Sequence, residues 1–203
     1  MTKTEIMADL AYVKSVAEEG RNAPLLGGRV GLMWTGLLVP TLIAHGLTAA
    51  GKTPIAPNQV GLLWLAFGII GAVLAVFLIR SIKGKPGGSA LANRIESVIW
   101  PTTSVLIFGY AIALGFAFGP ADLPPVIFDT ILPLAFALTA VNLMVLGKIT
   151  DKGYMKLAGL ISGLAMIACV FLIGNPAIYY VAAAGVFLTG VIPSLVQMRN
   201  EPQ

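Results

Sequence analysis

The chain has 203 residues, 57% of them apolar and only 11% charged, with a formal net charge of +4 at neutral pH. A soluble domain carries about 25% charged residues, and so thin a polar shell cannot cover this much apolar surface, so the composition excludes a soluble globule and makes lipid the main solvent. One cysteine, Cys169, excludes an internal disulfide and a cysteine zinc cluster, and one histidine, His45, excludes a multi-histidine metal or haem site built by one chain.

The first 29 residues form a charged prelude. Ile6, Leu10, Val13 and Ala17 recur at spacings of four, three and four, while Glu5, Asp9, Lys14, Glu18 and Glu19 cover other faces. That pattern predicts an amphipathic helix over 4–19. Thr2 followed by Glu5 matches a capping box, Gly20 is a helix stop, and Pro24 prevents simple continuation. The segment holds at least as many acids as bases, whereas a membrane-surface helix normally carries a basic polar face. Three readings stay open: a helix on the cytoplasmic face of the bundle or in the interface, a helix paired with another subunit or a different protein, and a lone solvated helix. The turn at Ala23-Pro-Leu-Leu-Gly-Gly28 then redirects the chain, with Leu25 and Leu26 expected to dip into the interface.

Six apolar windows follow, at about 30–49, 60–79, 99–118, 125–146, 157–174 and 176–197, each near the ~20 residues a helix needs to cross the hydrocarbon. Their only formal charge is Asp129. Apolar and polar residues do not alternate, so the spanning form is helical and not a barrel strand. The expected fold class is all-α: a polytopic membrane protein with a six-helix bundle over 30–197, a short cytoplasmic amphipathic helix and linker over 1–29, and a cytoplasmic tail over 198–203. Connections are short. Pro54 and Pro57 mark the first, Gly-Lys-Pro-Gly-Gly (84–88) breaks the longest, and Asn175-Pro176 fits a tight turn before the last window.

Lysine and arginine set the expected orientation. Lys3, Lys14, Arg21, Arg29, Arg80, Lys83, Lys85, Arg94, Lys148, Lys152, Lys156 and Arg199 share one side, and of the 13 basic residues only Lys52 lies opposite. Basic flanks stay cytoplasmic, which predicts both termini inside. Trp34 and Trp100 fall near the expected cytoplasmic ends of their spans, and Trp64, Tyr179 and Tyr180 near the outer ends, depths that amphipathic rings favour. The basic residues lie between apolar runs and not in one patch, so nucleic acid is not an expected partner.

Polar groups inside spans are the candidate functional residues. Asp129 and His45 each lie about one turn from the outer end of a window, at similar depth, so a pair is geometrically feasible. One reading is a proton or cation site near the outer face; the other is interfacial solvation, with Asp129 capping or reaching water, and the shallow depth favours it. Asn142 reads as an interhelical hydrogen bond, Thr139, Ser162, Thr189 and Ser194 as interface polars, and Cys169 as a packing residue. Arg94 and Glu96, placed just before the third window, are candidates for a lipid headgroup or for the N-terminal helix, against a solvated helix start. Ile6, Leu10 and Val13 are the matching candidates for a partner or lipid contact. Lys83 and Lys85 lack the spacing of a phosphate loop. Gly159 with Gly163, Gly68 with Ala72, and Ala111 with Gly115 offer small faces for helix packing. Pro40, Pro133 and Pro193 are candidate kinks.

The runs Asp9-Leu-Ala-Tyr-Val-Lys14, Glu18-Glu-Gly-Arg-Asn-Ala-Pro-Leu-Leu-Gly-Gly-Arg29, Asn93-Arg-Ile-Glu96 and Asn175-Pro-Ala-Ile-Tyr-Tyr-Val-Ala-Ala-Ala-Gly-Val-Phe-Leu188 resemble a group of six-span bacterial membrane proteins, chiefly proteobacterial. The resemblance covers nearly the whole chain and implies a bacterial inner membrane, with no settled activity. The residues themselves lead to a non-enzymatic accessory or interaction role, as an oligomer or as a subunit of a membrane complex in contact with lipids. The alternative is a small transporter or channel with a site near the outer face. No catalytic residue, metal ligand or cofactor is expected, because a lipid enzyme needs clustered acids or histidines that the sequence does not place together.

Overall fold

The structure, a computed structural model, describes residues 6–7, 9–10, 25–82, 85, 87–118 and 124–200. These residues contain no strand, and six helices are long and apolar enough to cross a membrane. They are α1 (Gly28–Ala49), α2 (Val60–Ile82), α3 (Leu91–Phe118), α4 (Pro125–Ile149), α5 (Gly153–Phe171) and α6 (Ala177–Arg199). Most of the helix proposed over 4–19, Val13 included, lies outside the described residues. Residues 6, 7, 9 and 10 are helical, and the Ile6 and Leu10 side chains are exposed.

Three helices depart from their apolar windows in informative ways. α3 starts at Leu91, well before the window that begins near 99. The chain turns at Gly87, whose φ of +85° is the left-handed conformation glycine tolerates. From Leu91 to Val98 there is neither glycine nor proline, so nothing stops the helix; Asn93, Arg94 and Glu96 lie on it and not in front of it. α4 opens as a 3-10 turn over Pro125–Thr130 and becomes α-helical at Ile131–Ile149. The 3.6-residue period therefore begins after Asp129 and does not fix the face of that residue. α6 is α-helical over Ala177–Val186, widens to a π-turn over Phe187–Val191, and resumes over Ile192–Arg199. Pro193 explains the widening: it lacks the N–H that a carbonyl one turn earlier would use, and its ring needs room there.

In space the helices neighbour one another in the order α2, α1, α6, α5, α4, α3. α2 and α3 are consecutive in sequence yet outermost in the packing, each held mainly by one helix. The seams are built on glycine. A Cβ at Gly71, the one buried residue of α2, would lie 2.2 Å from the Trp34 ring of α1. A Cβ at Gly190 of α6 would lie 2.3 Å from Thr35, and one at Gly159 of α5 would lie 2.7 Å from Met144 of α4. Gly68, Gly115 and Gly163 have open space beside them. The small-residue pairs that include Gly68 and Gly115 therefore do not form seams within the chain, and Gly71, one position from the predicted Ala72, does.

The core has two apolar centres. Leu42, Phe136, Ala165, Cys169, Ile178, Tyr179, Ala182 and Ala183 pack together between α1, α4, α5 and α6. Leu25, Ala92, Leu143, Leu146, Met155 and Ala158 pack at the end where most basic residues lie, called the basic end below. Between them Asn142 donates to Thr103 Oγ1 at 2.7 Å, joining α4 to α3, and Ser162 donates to the Phe136 carbonyl at 2.9 Å, joining α5 to α4. Asn142 is thus the interhelical bond its position predicts.

Candidate functional site

Among the described residues the two buried carboxylates, Asp129 and Glu96, lie at opposite ends of the bundle, each within a cluster of polar side chains. At the end opposite the basic one, Gly46 lets α6 approach α1: a Cβ there would lie 3.1 Å from both Tyr179 and Tyr180. The turn between α5 and α6 runs through Gly174, at φ +83°, and Asn175, whose side-chain oxygen accepts the Ala177 N–H at 2.9 Å. This geometry points Tyr179 inward and presents the Gly174 N–H to α4. Asp129 accepts both: Tyr179 Oη donates at 2.5 Å and Gly174 N at 2.9 Å. The carboxylate is only 8% exposed. Interfacial solvation, the expectation at this depth, is replaced by two protein donors. Burial without them would leave a charge in an apolar setting, which is strongly unfavourable.

His45 belongs to the same cluster without touching Asp129 through a hydrogen bond. Its Nδ1 accepts the Trp64 Nε1–H of α2 at 3.2 Å. Its ring lies on the Tyr179 ring, with centroids 3.8 Å apart and planes tilted by 33°. Trp64 continues to Phe67 and Phe67 to Trp34, edge to face, with centroids 5.7 and 5.5 Å apart. The predicted pair is therefore bridged by Tyr179, its ring on the histidine and its hydroxyl on the aspartate. A proton relay needs a continuous string of donors and acceptors; here the string breaks at the tyrosine ring face. Reading the sequence assigned Tyr179 and Trp64 only an interfacial depth. The available signal was that both carry an N–H or O–H at the depth of two otherwise unpartnered ionisable groups.

The basic end brings together two of the sequence runs singled out above. Leu25 and Leu26 do not dip into the interface; they are 2% and 4% exposed, packed inside the bundle. The Leu26 N–H donates to Asn93 Oδ1 at 2.9 Å, and Asn93 Nδ2 donates in turn to the Gly87 carbonyl at 2.9 Å. The Gly27 N–H donates to Glu96 Oε2 at 3.2 Å, while Trp100 and Gln197 reach the same carboxylate as side-chain donors. A Cβ on Gly27 would lie 2.6 Å from that carboxyl group, and one on Gly28 would lie 2.8 Å from Gln197. Only glycine lets the linker backbone sit this close. Asn93 and Glu96, one turn apart on α3, thus grip two successive backbone amides of the linker entering α1.

Glu96 is 6% exposed, so it is neither a solvated helix start nor a lipid contact; its partners are inside the chain. Arg94, on the other side of α3, is exposed and keeps the lipid or partner role open. Lys152, in the short connection between α4 and α5, lies near Glu96; burial holds its ammonium below the ordinary lysine value, and the Glu96 charge opposes that shift. Tyr154 Oη is buried beside this cluster without a hydrogen-bond partner. Among the described residues no three His, Cys, Asp or Glu side chains converge in a way that would hold a metal ion. Comparisons with protein-family models, curated proteins and solved structures find no match.

Proposed function

We propose that this chain is a non-enzymatic accessory subunit of a bacterial inner membrane, with both termini in the cytoplasm, which carries its N-terminal segment at the basic end for contact with a protein partner or a second copy. The observation that carries this reading is the linker latch. Asn93 and Glu96 of α3 accept the backbone N–H groups of residues 26 and 27, and Trp100 of α3 and Gln197 of α6 hold the Glu96 carboxylate in place. Helices that merely need a connection do not require a backbone grip of this kind. The latch fixes the linker backbone at residues 26–27, and Ile6 and Leu10 have exposed apolar side chains. The outermost α2 and α3, with Gly68 and Gly115 open, supply further membrane-depth contact faces. The resemblance to six-span proteobacterial membrane proteins supports the same location.

The test is a mild-detergent purification of three forms: the full chain, a chain lacking residues 2–20, and the N93A/E96Q double variant. A partner or oligomer retained by the full chain and lost from both others supports the reading. A partner retained by all three removes the N-terminal segment from the function. A small transporter is the second reading, favoured by the meeting of His45 and Asp129 around Tyr179. It is separated by flux into vesicles: D129N and H45Q abolish flux in a carrier and leave an accessory subunit's partner binding intact. Against it, buried polar groups between the two ends, such as Thr41, Ser162 and Thr189, bond to backbone carbonyls, leaving no line of ionisable groups between the clusters among the described residues.

A further inference from the structure

We propose that His45 is a proton-sensitive clasp that holds α2 on the bundle and releases it on acidification. The proposal goes beyond the accessory reading and does not depend on any partner.

α2 is attached along one seam. At one level Trp34 of α1 sits on Gly71; at the other, Trp64 of α2 donates its indole N–H to His45 Nδ1. This bond fixes the tautomer. Nδ1 is the acceptor, so the neutral ring carries its proton on Nε2. A second proton must go to Nδ1, which then has a hydrogen of its own aimed at the Trp64 N–H. Acceptor becomes donor, and two donors face each other. No rearrangement of the ring keeps the bond, because the imidazole is pinned face-on against Tyr179 with centroids 3.8 Å apart.

Across Tyr179 from the imidazole stands Asp129 of α4, whose carboxylate accepts the Tyr179 hydroxyl. From α6 the titratable side chains facing this region are Tyr179 and Tyr180. From α2 only the neutral Trp64 faces it, since Arg80 lies at the far end of that helix. The next charge along the chain is Lys52, in the connection after α1. An imidazolium would therefore have one carboxylate counter-charge and would lose one indole bond. The element that the bond ties down, α2, is also the one with the fewest other anchors: Gly71 is its one buried residue.

The three tryptophans make the test direct. Nitrogen-15 tryptophan labelling of the full chain in lipid nanodiscs gives three indole signals, with W64F and W34F assigning two of them. From pH ~7.5 to ~4, the Trp64 signal is expected to move along a one-proton curve, with indole hydrogen exchange about five-fold faster once the bond is lost. The Trp34 signal, seated on the same helix, is expected to move with it. H45Q keeps a side-chain acceptor but cannot titrate, so both responses should vanish. A Trp64 signal that stays put in the natural protein, or that moves equally in H45Q, overturns the proposal. So does a response confined to Trp64, since α2 would then remain on its seam. Loss of the fold in acid would affect H45Q equally and is read as the overturning outcome.

Discussion

Tyr179 does two jobs with one side chain. Its hydroxyl satisfies a buried carboxylate, and its ring carries the only histidine of the chain. Removing the hydroxyl alone separates the jobs. In Y179F the ring stack survives while Asp129, 8% exposed, keeps the Gly174 N–H as its donor. Leaving a buried acceptor short of a partner costs about 1–3 kcal/mol. The expected outcome is a clear drop in the thermal midpoint in detergent, with D129N falling less because an amide oxygen still accepts. Equal stability of Y179F and the natural protein would mean that water takes the place of the hydroxyl, and Asp129 would then be an interfacial group after all. The residue scale also explains why the site was half legible. Asp129 and His45 stood out because apolar windows make any ionisable group conspicuous. Their bridge did not stand out, because a tyrosine near the outer end of a span is expected at that depth whatever it touches.

At the scale of elements, the linker and α3 are the informative pair. Pro-Leu-Leu-Gly-Gly reads in sequence as a turn, and Asn93-Arg-Ile-Glu96 as a polar approach to a span. Neither run alone reveals that one clamps the other, since they are 67 to 69 residues apart. The early start of α3 was hidden for a related reason. Hydropathy windows find where a helix is oily, and a helix can extend past its oily part when no breaker stops it. The glycines test this arrangement. A methyl at Gly27 would lie 2.6 Å from the Glu96 carboxyl group, closer than packed atoms tolerate. G27A is therefore expected to push the linker off α3, raising amide hydrogen exchange at Leu26 and residue 27 by ten-fold or more, on the order of the ~1.4 kcal/mol that a strained or lost hydrogen bond represents. N93A removes the Asn93 bonds to Leu26 and Gly87 and should give the same pattern at Leu26. G68A, facing open space, should change neither amide. Unaltered protection in G27A would show that the linker is held by Leu25 and Leu26 burial alone. The same reasoning applies to α2. A leucine at position 71 meets the Trp34 ring, so G71L should detach α2, and W34A should restore the fit; a G71L protein that retains Trp64 protection would deny the seam its role.

For the whole molecule, the number and character of the spans were readable from composition and hydropathy, because lipid forces every spanning segment to be apolar and internally hydrogen-bonded. The spatial order α2, α1, α6, α5, α4, α3 was not, since apolar faces toward lipid and toward other helices look alike in sequence. Orientation rests on a separate physical cause, the retention of basic flanks on the cytoplasmic side. Among the described residues Lys52 is the one lysine or arginine at the end opposite the basic one, which gives a sharp experimental contrast. Cys169, the sole natural cysteine, is buried, so it adds little background to thiol labelling. K52C is exposed in the connection after α1, and R199C is exposed at the end of α6. In intact cells an impermeant maleimide is expected to label K52C and to leave R199C untouched until the membrane is opened. The reverse pattern would put the basic end outside. The latch would then face away from cytoplasmic partners, and the acid-sensitive clasp would sense the cytoplasm. Labelling of both positions in intact cells would mean an odd number of crossings between 52 and 199 is wrong, and one of the six helices would have to lie outside the bilayer.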